Sequence, residues 1–123
     1  MACPNITQTN ISFNGASLNI EHAKSNEEIR NGLMHRDHLD IDKGMLFSYQ
    51  TPANHSFWMK NTKIPLDMIF IDSKRTVVGT IQDATPFSLQ SRTVGTDSCY
   101  VLETNSGFVE KHGVRVGMTV DFS

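Results

Sequence analysis

The chain has 123 residues, with 11 basic against 13 acidic side chains, a net charge of −2 and 38% hydrophobic residues. That length fits one domain able to bury about two-thirds of its extended-chain surface. The charge balance argues against a nucleic-acid partner, which needs a basic face to displace counterions from phosphates, and no apolar run approaches the ~20 residues that span a bilayer.

Met1 is followed almost at once by Cys3, Pro4 and a polar stretch, which is not a signal peptide. Two readings stay open: a cytosolic protein, or a mature exported chain whose signal has been removed. Cys3 and Cys99 suit one disulfide in an oxidising compartment and equally suit two unpaired thiols. Residues 1–10 read as a loose arm ahead of one domain over residues 11–123.

Asn14-Gly15 separates Ile11-Ser12-Phe13 from the alternating run Ala16–Ile20. Asn-Gly takes the two positive φ values of a type I′ turn, so a hairpin is expected over Ile11–Glu21, with Leu18, Ile20 and His22 sharing a face. Ser25-Asn26-Glu27-Glu28 is a capping box that opens a helix to about Met34, with Ile29 and Leu33 on one side. Gly32 costs about 1 kcal/mol inside a helix and points to close backbone approach or an early end. After a polar link, Gly44–Tyr49 reads as a buried strand and Gln50–Ser56 as a loop.

The most informative stretch is Phe57–Asp72. It holds the only tryptophan, Trp58, then Lys60-Asn61-Thr62-Lys63, then Pro65, and then an apolar block interrupted by Asp67 alone. It reads as strand (Phe57-Trp58-Met59), polar loop, buried strand. Leu66–Ile71 and Thr76–Ile81 form a second hairpin through Asp72–Arg75, and a long polar connection spans Gln82–Asp97. A strand over Cys99–Glu103 and a short helix over Ser106–His112, with a left-handed cap at Gly113, follow. Val114, Val116, Val120 and Phe122 supply a closing strand region. Short strands, turns and two small helices define a mostly β single domain, sandwich-like, jelly-roll-like or barrel-like.

Arg30-x-Gly32-Leu33-Met34-x-Arg36, Gly44-Met45-Leu46-Phe47 and Phe57-Trp58-Met59-Lys60-Asn61-Thr62-x-Ile64-Pro65-Leu66-Asp67 together resemble the domain of unknown function 192 family. Val101-Leu102-Glu103 with Gly107, and Gly113-Val114-x-Val116-Gly117, resemble its second half. The resemblance runs from about Ile11 to Val120 and implies a compact, mostly β domain of sandwich or jelly-roll type. It also implies export, since members often carry an export signal, and it brings no established activity. The family's C-terminal Gly is usually followed by aspartate, whereas Gly117 here precedes Met118.

The polar set Arg30, Arg36, Trp58, Lys60, Asn61, Thr62 and Asp67 has two readings. As a binding site, Trp58 stacks on a sugar ring or other planar small molecule while Lys60 and Asn61 hydrogen-bond it. As scaffolding, Asp67 accepts from Asn61 or Thr62, or pairs with Arg36, and holds the loop. Met34, Met45, Met59, Met68 and Met118, with His35 or His55, are soft enough for Cu(I), but methionine more often fills core gaps. His35-x-x-His38 lacks the further ligands a zinc site needs. No metal or cofactor is therefore expected.

No nucleophile elbow, phosphate loop, dinucleotide fingerprint or zincin motif occurs, which favours a non-enzymatic domain. Asp67 and Glu103 are the one alternative, a carboxylate pair for glycoside hydrolysis if they lie about 5–9.5 Å apart. The sequence leaves the ligand and the oligomeric state open. It supports a small exported binding or accessory domain, with a purely structural role as the bland alternative.

Overall fold

The computed structural model describes residues 2–123. Its elements run β1 (Asn10–Phe13), β2 (Ala16–Ala23), α1 (Asn26–Asn31), β3 (Lys43–Ala53), β4 (Leu66–Ile71), β5 (Val77–Ala84), β6 (Ser98–Asn105), α2 (Phe108–His112) and β7 (Asp121–Phe122). The strands form one seven-stranded sheet in the order β5-β4-β6-β3-β2-β1-β7. Among the described residues only β2 and β3 pair in parallel, with α1 in their connection.

The sheet curls into a half-barrel, the barrel-like member of the expected fold class. Its concave face gathers residues from both ends of the strand order, with Val77 of β5 in one cluster with Ile11, Phe13 and Phe122. Backbone bonds draw those ends together: Val77 N–H donates to Met118 O at 2.9 Å and Val120 N–H to Arg75 O at 2.8 Å. On the convex face Met45, Phe47, Met68, Phe70 and Val101 form a second cluster with Leu33 and Met59, joined from β5 by Ala84. Both faces of β4 and β6 are therefore covered, and nearly every residue in them is buried.

Local chemistry accounts for the smaller elements. Asn14 and Gly15 adopt φ of 47° and 84°, and Phe13 pairs with Ala16 across the turn. The Ser25 hydroxyl accepts from Glu28 N–H at 3.0 Å, and the Glu28 carboxylate accepts from Ser25 N–H at 3.0 Å. Gly113 closes α2 in the left-handed region.

Four expectations are corrected. Helix α1 stops at Asn31 rather than Met34, because Gly32 turns to φ 46°. Strand β3 runs through the expected loop to Ala53, absorbing the irregularity as a register shift between Ser48 and Ala53. Phe57-Trp58-Met59 is not a strand, since only Phe57 pairs, in an isolated bridge with Arg92. Val116, expected in the closing strand, is 68% exposed in the turn before Thr119.

Residues 2–9 contain no helix or strand, yet they are anchored where a loose arm was expected. Cys3 is joined to Cys99 by a disulfide, Ile6 is fully buried in the concave core, and Tyr100 donates its hydroxyl to Pro4 O. Lys24 Nζ holds the same segment from outside, donating to Ile6 O at 2.7 Å.

Candidate functional site

The convex layer is not sealed. The Phe57–Thr62 segment is stitched to its neighbours by backbone bonds: Met59 N–H to Ser88 O at 2.9 Å, Phe87 N–H to Thr62 O at 3.1 Å, and His35 N–H to Asn61 O at 2.8 Å. Between this segment and the end of α1 lies a cleft of about 200 Å³ that reaches β3 and β6. Gly32 shapes one wall, since a Cβ there would meet the Phe47 ring at 3.0 Å. Phe47, Tyr49 and Glu103 contribute from the sheet, Phe57 and Thr62 from the loop, and Arg30 and Trp58 from the exposed rim.

Glu103 is the unusual group in this cleft. It stands opposite Met45 of β3 and Met68 of β4, which fixes its side chain on the convex face. It is 4% exposed, and no ion pair of the described residues includes its carboxyl. Burial alone therefore pushes its pKa up from 4.5 to about 8. The neighbouring Tyr49 phenol is pushed up as well, first by its own burial and then by the Glu103 charge. His55 stacks on Tyr49 with ring centroids 3.5 Å apart, and burial lowers its pKa.

Asp67 is equally buried and fully satisfied. Its carboxylate accepts from the backbone N–H groups of Asp83 at 2.9 Å, Gly107 at 3.2 Å and Val109 at 2.9 Å. These donors tie β4 to the end of β5 and to the start of α2, a structural role with partners other than Asn61, Thr62 or Arg36. Asp67 pairs with Thr104 next to the Met68–Glu103 pair, so the two carboxylates point to opposite faces of the sheet. The Asp67–Glu103 catalytic pair is thereby overturned, because no substrate bond can lie between them.

The remaining sequence-nominated residues divide. Arg30, Trp58 and Thr62 meet at the cleft. Lys60 lies outside it, with Nζ 5.1 Å from the Trp58 ring centroid, while Asn61 is exposed in the left-handed region. Arg36 forms a bidentate pair with Glu21 at 2.6 and 3.0 Å, which holds the Glu21 carboxyl below its usual range. The methionines are split between the two faces, Met118 on the concave side and Met45, Met59 and Met68 on the convex side. His38 pairs with Asp40 at 2.8 Å, and among the described residues no group of three His, Cys, Asp or Glu could hold a metal. Glu103 is expected from the sequence only as a catalytic partner of Asp67, and Tyr49 and Phe57 beside it in the cleft escape sequence reasoning.

A half-barrel with a clefted convex layer defines a class of small single-domain β proteins. Within it, the sequence profile of DUF192, described as an uncharacterised ACR, matches residues 8–122, and the chain belongs to that family. A protein of unknown function from Novosphingobium aromaticivorans DSM 12444 shares the fold at a TM-score of 0.88 and 28% identity, over 99% of this chain and 93% of that one. A candidate transcription regulator from Sinorhizobium meliloti 1021 aligns at a TM-score of 0.88 and 31% identity, over 97% and 98% of the two chains. No curated protein matches. Among the described residues, no helix is long and apolar enough to cross a membrane.

Proposed function

We propose that this protein is a small exported binding domain whose ligand enters the cleft between the end of α1 and the Phe57–Thr62 segment. The observation that carries this reading is Glu103, a buried carboxyl that lines the cleft and stands outside every ion pair of the described residues. Buried polar groups are nearly always hydrogen-bonded, and one facing a cleft unpaired is suited to a ligand group. Trp58, 47% exposed at the rim, adds an aromatic face on which a ring or chain can lie. The volume is below the ~300–1,000 Å³ of drug-sized pockets, so the portion that enters is small, a single sugar ring or a short chain. The Cys3–Cys99 disulfide supports the exported reading, because such bonds persist in oxidising compartments.

The description of the Sinorhizobium relative raises DNA-linked regulation as another reading. The net charge of −2 and the engagement of Arg36 and Lys63 with carboxylates speak against a phosphate-binding face.

Trp58 is the only tryptophan and reports directly on the cleft. Its emission should shift, and its quenching by iodide should fall, on titration with one of several pools of sugars, amino acids, amines or nucleotides. Silence of both fluorescence and calorimetry towards every pool would sink the binding reading.

A further inference from the structure

Resting on that reading, we infer that the group bound in the cleft is an organic ammonium ion, its charged head on the Glu103 carboxylate and its chain between the rings of Phe47, Tyr49, Phe57 and Trp58. The two buried carboxyls of this protein have opposite solutions. Asp67 receives three backbone N–H groups, whereas Glu103 stands outside every ion pair of the described residues. A ligand cation supplies the missing counter-charge, and the surrounding aromatic side chains give its alkyl chain an apolar wall.

The other polar groups agree. From β3 the Glu103 carboxyl is faced by the Tyr49 phenol, backed by His55, and from β4 by the uncharged Met68. The loop contributes the Thr62 hydroxyl, already bonded to Lys60 O at 3.1 Å. The remaining charge is Arg30, exposed at the rim and outside every ion pair of the described residues. Arg30 suits a carboxylate at the far end of the same ligand, so an ω-amino acid with a short chain satisfies both ends of the cleft.

The test uses pentylammonium, 5-aminopentanoate and 1-pentanol, titrated into the intact protein by calorimetry and Trp58 fluorescence at pH 6.5 and pH 9. The carboxyl, at about 8, is mostly protonated at the lower pH, so ammonium affinity should rise about thirtyfold across that range, in step with the ionised fraction. The rise should vanish in Glu103→Gln, with folding checked by a thermal melt. Calorimetry in two buffers of different ionisation enthalpy gives a second reading on the wild type alone, and close to one proton should be released on binding at pH 6.5. Arg30→Ala should weaken 5-aminopentanoate several-fold relative to pentylammonium, whose binding the loss of a like charge does not weaken.

Binding of 1-pentanol as tight as pentylammonium, or affinity that falls as pH rises, would overturn the ammonium assignment. So would binding without proton release. A pool of sugars that binds where the amines do not would overturn it and leave the cleft as a ligand site. Silence towards every pool removes both readings together.

Discussion

Asp67 and Glu103 show how little a residue type says until its partners are known. At Asp67 three N–H donors face one carboxylate, so Asp67→Ala strands several buried donors and should cost about 3 kcal/mol or more in urea denaturation. A loss under about 1 kcal/mol would mean that water replaces the carboxylate freely. Glu103 is shifted by its burial. Its folded value of about 8 lies above the 4.5 of an unperturbed carboxyl, so the folded state holds an extra proton between them. Its contribution is fully favourable below about pH 4.5 and declines as pH rises towards 8. Glu103→Gln should therefore gain about 2–4 kcal/mol over the wild type between pH 5 and pH 9. Equal differences at both pH values would show that the carboxyl is solvated or paired.

Among the elements, those closed by neighbours in sequence were legible and those closed at a distance were not. The Asn14-Gly15 turn and the Ser25–Glu28 box depend on residues within a few positions, and both are present as read. Ser25→Ala should cost about 1 kcal/mol, measured as a shift of the urea midpoint. The strand expected at Phe57–Met59 fails because its partner, Arg92, offers one bridge and its other bonds go to turns. In β6 almost every residue is buried, so no alternation marks which face Glu103 takes, and only the register with β3 and β4 decides it. Arg30, Trp58 and Thr62 stand out as polar or aromatic members of the local motifs, whereas the cleft joining them to Glu103 is long-range. Gly32 connects both levels. With φ 46° and the Phe47 ring 3.0 Å from where a methyl would sit, Gly32→Ala should destabilise by about 1–2 kcal/mol and weaken any cleft ligand. Unchanged melting and binding would mean that the turn relaxes around the methyl.

For the whole molecule, the segment 2–9 is held by a covalent bond as well as by Ile6. Cys3 and Cys99 are 96 residues apart, and closing a loop of that size contributes about 4–5 kcal/mol in the chain-entropy description. Reduction, or Cys3→Ser, should lower the melting temperature by about 10 °C or more. A shift of only a degree or two would place the stability of this segment in Ile6 and the Tyr100–Pro4 contact instead.

The position of β1 has a kinetic consequence. It pairs with β2 across a tight turn on one side and with β7, from the far end of the domain, on the other. Pairings between such distant segments come late and slowly, because the intervening chain must lose its freedom before any contact rewards it. Refolding is expected on a millisecond-to-second scale rather than in microseconds. Until β7 arrives, the outer edge of β1 is without this strand partner.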